Sequence, residues 1–457
     1  MEELDRQEIL DDVSYLIEAK QAPKLRAIML DAYPADIADL LSHMEGEHRD
    51  YLFAALDPSI AADVILEVDE STREELIEGW DENRLAALVR EMNSDDAADF
   101  VIELSPELAA KVLKLIEPED SAEVRQLLAH EEDTAGGIMA LELVAMAQDS
   151  TVEEAINEIR KKADEIETIN HVYVIDENRR LVGIVPLKKL LLAEAYTPLS
   201  AIMNRDVISV LVGTDQEEVA KLARKYDLLS VPVVDAQGRL VGRITYDDIV
   251  DVMQEEVAED ISHMAGIASH GDIRDAHESS VLRTARLRLP WLVIGLFGGI
   301  VAAWILSFFE SRLQQNIMVL MFFVPVVMAM GGNAGIQSST IVVHGLATGS
   351  IGLGDMLQRL LREMRVAFLN GFLCGLLLLL IVTIGWRQPH FGALVGTSLL
   401  IVMFVAAVVG ATVPLLLKRF DVDPAIATGP FITISNDILG LFIYMGISTM
   451  YFLYLRP

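Results

Sequence analysis

After Arg288 the chain runs through five apolar stretches, near 289–309, 317–346, 366–386, 393–417 and 426–455. Each is long enough for the roughly 20 residues that cross a bilayer as a helix. In lipid every backbone N–H and C=O must be satisfied within the segment, so stretches of this length are constrained to be helical. Basic residues orient them. Arg283, Arg286 and Arg288 precede the first, Arg359, Arg362 and Arg365 lie between the second and third, and Lys418 and Arg419 follow the fourth. The alternate loops carry Arg312 and Arg387, and the tail Arg456. By the positive-inside rule the N-terminal part is expected in the cytoplasm of a cell whose inner membrane the chain crosses five times, with the C-terminus outside.

Charge divides the chain at the same place. Residues 1–283 hold 26 Lys+Arg against 63 Asp+Glu, a net of −37, whereas residues 284–457 hold 10 against 6, a net of +4. The first part reads as water-soluble and anionic. Such a surface repels nucleic acid and lacks the basic footprint of a nucleic-acid binder; it attracts cations. The one cysteine, Cys374, excludes an internal disulfide and a Cys-based zinc site. No HExxH, no GxxxxGK[ST] and no nucleophile–base pair is present, so no catalytic residue is assigned and an enzyme is not expected. MEELDRQEIL at the start is acidic and is not read as a secretory signal.

Asp437 lies in the middle of the fifth apolar stretch. A carboxylate there costs about 2.5–3.5 kcal/mol to insert, and it serves an ion pathway, a proton relay or a polar helix contact. Gly429, Thr433 and Asp437 are four apart and are expected on one helix face. The second stretch carries Pro325 and then Gly331-Gly-Asn333-Ala-Gly-Ile-Gln-Ser-Ser-Thr340. Its small residues allow close helix approach, and its polar ones need partners away from lipid. Both stretches suit helix–helix contact or a permeation lining.

In the soluble part, Pro34-Ala-Asp-Ile, Pro58-Ser-Ile-Ala, Asp95-Asp-Ala-Ala-Asp99 and Pro106-Glu-Leu-Ala open short apolar helices at recurring intervals. That pattern suggests a stacked superhelix. From about 138 to 255 a longer repeat follows: Val172-Tyr-Val-Ile-Asp-Glu-Asn-Arg-Arg-Leu-Val-Gly-Ile-Val matches Val231-Pro-Val-Val-Asp-Ala-Gln-Gly-Arg-Leu-Val-Gly-Arg-Ile. Each copy predicts strand, tight turn and strand, with a helix before it. This resembles a tandem of CBS modules, a resemblance that implies an adenine nucleotide, ATP, held by Thr245 and Asp248 of the second module; the first module lacks both groups. Between Asp247 and Asp260 carboxylates recur three and four apart on a predicted helix, where they repel by some tenths of a kcal/mol per pair. A hard divalent cation would relieve this. Asp95, Asp96 and Asp99 form a similar patch.

The order of these parts resembles the MgtE family of magnesium channels and transporters. The segments that carry the resemblance are Pro325–Thr340, Glu132-Asp-Thr-Ala-Gly-Gly-Ile-Met139 and Asp423–Asp437. It implies an acidic α-superhelical domain (1–132), an α/β CBS tandem (133–255, with modules near 138–196 and 200–255), an acidic connecting or gating helix (256–284) and a five-helix transmembrane domain (285–457). It implies a homodimer whose pore is lined by Asn333, Gly429 and Thr433, with Asp437 recognising hydrated Mg2+. It further implies that cytosolic Mg2+ closes the pore by binding at Asp95, Asp99, near Gly137, and at Asp227, Asp248, Asp251, Glu256, Glu259, Asp260 and Asp423. His344 stands where members commonly have Arg, and Gly429 where some have Asn. A transporter of broader divalent range (Mn2+, Co2+) and an ion-coupled carrier remain the alternatives.

Overall fold

The computed structural model describes residues 3–455 except 45, 164, 165, 167, 267–280, 314–316, 349, 352–355 and 421. It divides into two units, Met1–Glu256 and Val257–Pro457.

The first unit opens with short helices: α1 (Glu3–Glu18), α2 (Ala22–Met29), α3 (Pro34–Ser42), α4 (Gly46–Ala55), α5 (Pro58–Glu67), α6 (Glu70–Ile77), α7 (Glu82–Val89), α8 (Ser94–Glu103), α9 (Pro106–Leu115) and α10 (Pro118–Leu127). Proline begins α3, α5, α9 and α10, where its missing N–H costs nothing and its fixed φ is already helical. Asp69 and Asp81 cap α6 and α7 by accepting the Thr72 and Arg84 N–H groups. Helices two apart pack together, α3 on α5, α5 on α7, α7 on α9 and α8 on α10. Leu25, Ile37, Leu41, Leu52, Ile65 and Phe100 are fully buried between them. The stacked superhelix expected from the loose repeat is what forms.

Next come β1 (Ala145–Ala147), α11 (Val152–Lys161), β2 (His171–Ile175), β3 (Leu181–Pro186), α12 (Leu187–Leu192), α13 (Leu199–Ile202), β4 (Val210–Leu211), α14 (Gln216–Tyr226), β5 (Ser230–Val234), β6 (Leu240–Thr245) and α15 (Tyr246–Ala265). The strands make two sheets of order β1-β2-β3 and β4-β5-β6, each parallel then antiparallel. His171 pairs with Pro186 and Ser230 with Thr245, and each hairpin bulges one step from its turn. The two turns are built alike: Asp176 accepts the Asn178 and Arg180 N–H groups, and Asp235 those of Gln237 and Arg239. The Tyr173 hydroxyl meets Ser230 Oγ at 2.9 Å, joining the two modules. The repeat read in the sequence is therefore a pseudo-symmetric pair. Of the expected connecting segment 256–284, residues 267–280 lie outside the described residues; the remainder belongs to the last turns of α15 and the start of the next helix.

The second unit holds the end of α15 and then α16 (Val281–Leu313), α17 (Ile317–Met321), α18 (Val324–Ala347), α19 (Met356–Trp386), α20 (Pro389–Arg419) and α21 (Pro430–Met450). A 3₁₀ turn, Pro424–Ala427, precedes α21, and a π turn, Tyr451–Leu455, extends it. Five of these helices are long and apolar enough to span a membrane. They outrun the apolar stretches; α19 starts ten residues before 366, because its first turns carry Arg359, Arg362, Glu363 and Arg365. The second stretch is not one helix. Pro325 lacks an N–H and its ring would strike the carbonyl four residues back, that of Met321, so α17 ends there and α18 begins afresh. The Leu320 carbonyl beside this break accepts the hydroxyl of Tyr444, a fully buried residue of α21, at 3.0 Å.

Glycines set how closely the spans approach. Gly375 of α19 and Gly396 of α20 lie backbone to backbone, a Cβ on either standing 2.5 Å from the other's carbonyl oxygen. A Cβ on Gly410 of α20 would strike the carbonyl of Gly335 in α18. Small residues at such crossings supply the packing that hydrophobicity cannot drive in lipid. Gly410→Ala is expected to lower stability by about 1–3 kcal/mol, whereas Gly299→Ala, whose Cβ meets nothing within 4 Å, stays within about 0.5 kcal/mol. Thermal unfolding of the two variants in detergent checks the contrast.

Candidate functional site

In the first unit the acidic patches of α8 and α15 face one another. Asp95 is 8% exposed. Burial, and after it the charges of Asp248, Asp96 and Glu142, push its carboxyl well above the usual range. Asp96 rises to about 7 through burial, then Asp248 and Asp247. Asp99 is exposed along the outer side of α8, yet crowding by protein around its carboxyl, then Asp96, Asp248 and Glu255, raises it to about 7 as well. Asp248 is raised by burial against the pull of Thr245, whose N–H (3.0 Å) and hydroxyl both donate to its Oδ2. Asp247 and Asp251 add to it. No Lys or Arg figures among the causes of these shifts.

Glu142 fixes the geometry from a distance. It accepts the N–H and the hydroxyl of Ser94 at 2.9 and 2.8 Å, doing at the start of α8 what the N-cap Asn93 does not. Asp96 N–H in turn donates to Asp95 at 3.0 Å.

Of the residues expected from sequence, Asp95, Asp99, Asp248 and Asp251 are thus brought together, and Asp96, Asp247, Glu142 and Glu255 join them. Asp96 and Asp247 belong to patches visible in the sequence; Glu142 lies in the apolar run Leu141–Val144 and gave no signal. Asp227 stands apart, exposed at the left-handed C-cap of α14 (φ 51°), and contributes to none of these shifts. Gly137 closes a turn by donating its N–H to the Thr134 carbonyl at 2.8 Å. Glu256 accepts an N–H from Gln216 at 2.9 Å. Asp260 is half-buried in α15. Thr245 and Asp248, the pair to which the resemblance assigns a nucleotide, stand beside each other, the Thr245 N–H and hydroxyl donating to Asp248.

In the second unit Asp437 is half-buried in α21. Thr433, one turn earlier, spends its hydroxyl on the Gly429 carbonyl at 2.9 Å. Gly429 does not share their helix face. It is the N-cap, at φ +55°, with the Met264 carbonyl where a Cβ would be. Gly429-Pro430 is a helix start, which is why the four-residue spacing misplaced it. α18 and α21 run antiparallel, with Gly440 against Met328 and Gly335 against Ile432 and Asn436. A rise of about 1.5 Å per residue then puts Asn333 level with Asn436 and Asp437, and Gln337 level with Thr433. Asn333, Gln337 and His344 are exposed along one face of α18, with the exposed Ile341 between the last two. Asn436, 2% exposed, has no partner for its amide among the described residues.

Towards the α18 C-terminal end a buried ion pair, Glu363 with Arg359 at 3.0 Å, takes the Ser338 hydroxyl at 3.2 Å. Glu259 and Asp423 both meet His263, a residue the sequence reading passed over.

A helical acidic domain, a CBS tandem and five spans, the last with Asp437 at its middle, make up a multi-pass membrane protein built to handle cations. A family profile described as divalent cation transporter, MgtE, matches residues 324–447, one for the MgtE intracellular N domain 32–133, and one for the CBS domain 135–196 and 199–255. The magnesium transporter MgtE of Thermus thermophilus is 38% identical over 431 residues, 93% of this chain and 94% of that one. That of Bacillus subtilis is 38% identical over 319 residues, 70% of each. The crystal structure of the cytosolic domain of the Mg2+ channel MgtE in complex with ATP, 35% identical, matches with a TM-score of 0.51 over 53% of this chain and 99% of that one. The chain belongs to the MgtE family, one of transporters rather than enzymes.

A carboxyl raised on folding stabilises the fold below its unfolded value, near 3.9, and that contribution is lost as pH rises through its folded value, about 7 for Asp96 and Asp99. In cation-free buffer the melting temperature of the soluble unit's transition is expected to fall between about pH 4 and 7. Added Mg2+, or Asp96→Asn with Asp99→Asn, should flatten the slope in a pH series of melting curves.

Proposed function

We propose that the chain is a Mg2+-selective channel that works as a homodimer, mediates Mg2+ uptake and is closed by cytosolic Mg2+. The observation that carries this is Asp437, an intramembrane carboxylate level with the exposed amide of Asn333 on the neighbouring span. Mg2+ dehydrates reluctantly and is held through its waters. A carboxylate with amide groups around it binds such a hydrated ion without stripping it, strongly enough to select and weakly enough to release.

The exposed Asn333, Gln337 and His344 support the second copy. Lipid cannot satisfy these groups. A partner chain across a water-filled path can, and two copies of Asp437 then present two negative charges to a divalent ion. The basic loops support the orientation, with the soluble part in the cytoplasm.

Closure follows from the acidic face of the first unit. The carboxylates of α8 and α15 repel when bare and are held together by a shared cation; this donor set, all oxygen and partly buried, suits Mg2+. Binding favours the arrangement in which α8 and α15 are close, and only this difference in affinity shifts the gate. Asp227, Gly137, Glu256, Glu259, Asp260 and Asp423 stay in the reading as further Mg2+ ligands. A nucleotide at the CBS tandem, held by Thr245 and Asp248, is supported by the ATP complex of the solved relative.

Mg2+ flux into liposomes is expected for the wild type and to fall at least tenfold for Asp437→Ala with folding and dimerisation intact. Equal flux in both would overturn the placement of the path, and equal flux of Mn2+, Co2+ and Mg2+ would favour the broader transporter. Asp95→Asn is expected to raise the Mg2+ concentration that closes the wild-type pore severalfold.

A further inference from the structure

The start of α8 is fastened by a residue that belongs to neither helix of the acidic face. α8 begins at Ser94, and the first N–H groups of a helix have no partner inside it. The N-cap, Asn93, offers them no side-chain bond. Glu142 does so from across the boundary between the helical domain and the CBS tandem. One of its carboxylate oxygens accepts the Ser94 N–H at 2.9 Å and the other accepts the Ser94 hydroxyl at 2.8 Å. The same hydroxyl accepts the Leu141 N–H at 2.9 Å. Ser94 is 5% exposed. Hydrogen bonds to an ionised group are about twice as strong as neutral ones, and shielding from water strengthens them further.

This clasp is joined to the other acidic helix through backbone. Ala140, one residue before Leu141, pairs with Arg243 of β6, each N–H donating to the other's carbonyl at 2.8 and 2.9 Å. A Cβ on Gly242 would stand 2.9 Å from the Ala140 carbonyl oxygen, so linker and strand have no slack where they cross. Two residues after Arg243, Thr245 ends β6 and donates to Asp248 in the first turn of α15. A short run of hydrogen bonds thus ties the first turn of α8 to the first turn of α15, and no bond in it needs a cation. The carboxylates of the two helices pull the other way. Glu142 itself is among the charges around Asp95, so it holds α8 by its start and repels the next residue along.

We propose that Ser94 and Glu142 form a cation-independent latch between the helical domain and the CBS tandem, a positioning pair rather than ligands, which sets the Mg2+ concentration at which the proposed channel closes. With the latch made, α8 is capped and in register, and the ion has only to relieve the repulsion between carboxylates. With it broken, the same ion must also hold the domains together, so more of it is needed. The effect on flux rests on the channel reading above; the effect on docking does not.

The test uses the full-length protein and Ser94→Ala, which removes the hydroxyl and keeps every carboxylate. In cation-free buffer, amide hydrogen exchange over 94–97 and 139–143 is expected to be about tenfold faster in the variant than in the wild type, the loss of a charge-assisted bond. At saturating Mg2+ the two should agree, with the same number of ions bound. Equal exchange without cations overturns the latch, and a smaller number of bound ions overturns the positioning role. In liposomes the Mg2+ midpoint of closure is expected to rise about tenfold in Ser94→Ala. Glu142→Gln should then lower that midpoint more in the Ser94→Ala background than in the wild type, because there only the repulsion is left to remove. Strictly additive midpoints overturn the pairing. If no condition gives Mg2+ flux, the channel reading fails and the exchange measurement still decides the latch.

Discussion

The first unit depends on one unfavourable contact, a carboxylate buried among carboxylates. Asp95 sits almost out of solvent with Asp96, Asp248 and Glu142 as its electrostatic neighbours. The fold tolerates this because α8 begins there and its free N–H groups and dipole offset part of the negative charge. The rest must come from protons or a bound cation. An ion that binds at such a place contributes folding energy as well as binding energy, so the stability of the helical domain against the CBS tandem is tied to the ion concentration around it. The sensing proposed for this unit needs no dedicated cage; the strain of assembling two ordinary helices supplies it.

The membrane unit solves the opposite problem. Its charges are few, and its packing is made by backbone approach at glycines and by hydroxyls that satisfy carbonyls, as Tyr444 does for Leu320. With so little charge in the neighbourhood, the single carboxylate of Asp437 dominates the local field. Asn333 and Gln337 of α18 beside it are exposed. Charge is thus concentrated in the part that meets water and rationed in the part that meets lipid.

Much of this was legible in the sequence. Five apolar runs, the Pro-led short helices and the matching strand–turn–strand units each carry a local periodicity or a turn signal, and local signals survive folding. The acidic patches of α8 and α15 were visible one by one, because carboxylates three and four apart on a helix mark a face. What the sequence concealed was pairing over distance. Glu142 reaches Ser94 across 48 positions and His263 reaches Asp423 across 160, and nothing near any of them hints at the partner. Two local readings also went astray for a readable reason. Pro325 and Pro430 mark helix starts, yet the apolar character around them ran on unbroken and hid the break before α18 and the cap at Gly429.

The crossing of Gly410 and Gly335 has a mechanical consequence. Where two backbones touch with no side chain between them, there is nothing to change rotamer and take up a displacement. α18 is therefore braced against α20 as a wall is against its buttress, and the face that bears Asn333 has little freedom to retreat. α21 meets α18 at the same level, but through side chains, Ile432 and Asn436 against Gly335, and side chains can change rotamer. On the proposed path, one wall is then rigid backbone, and any adjustment of width falls to the side chains of the helix that carries Asp437.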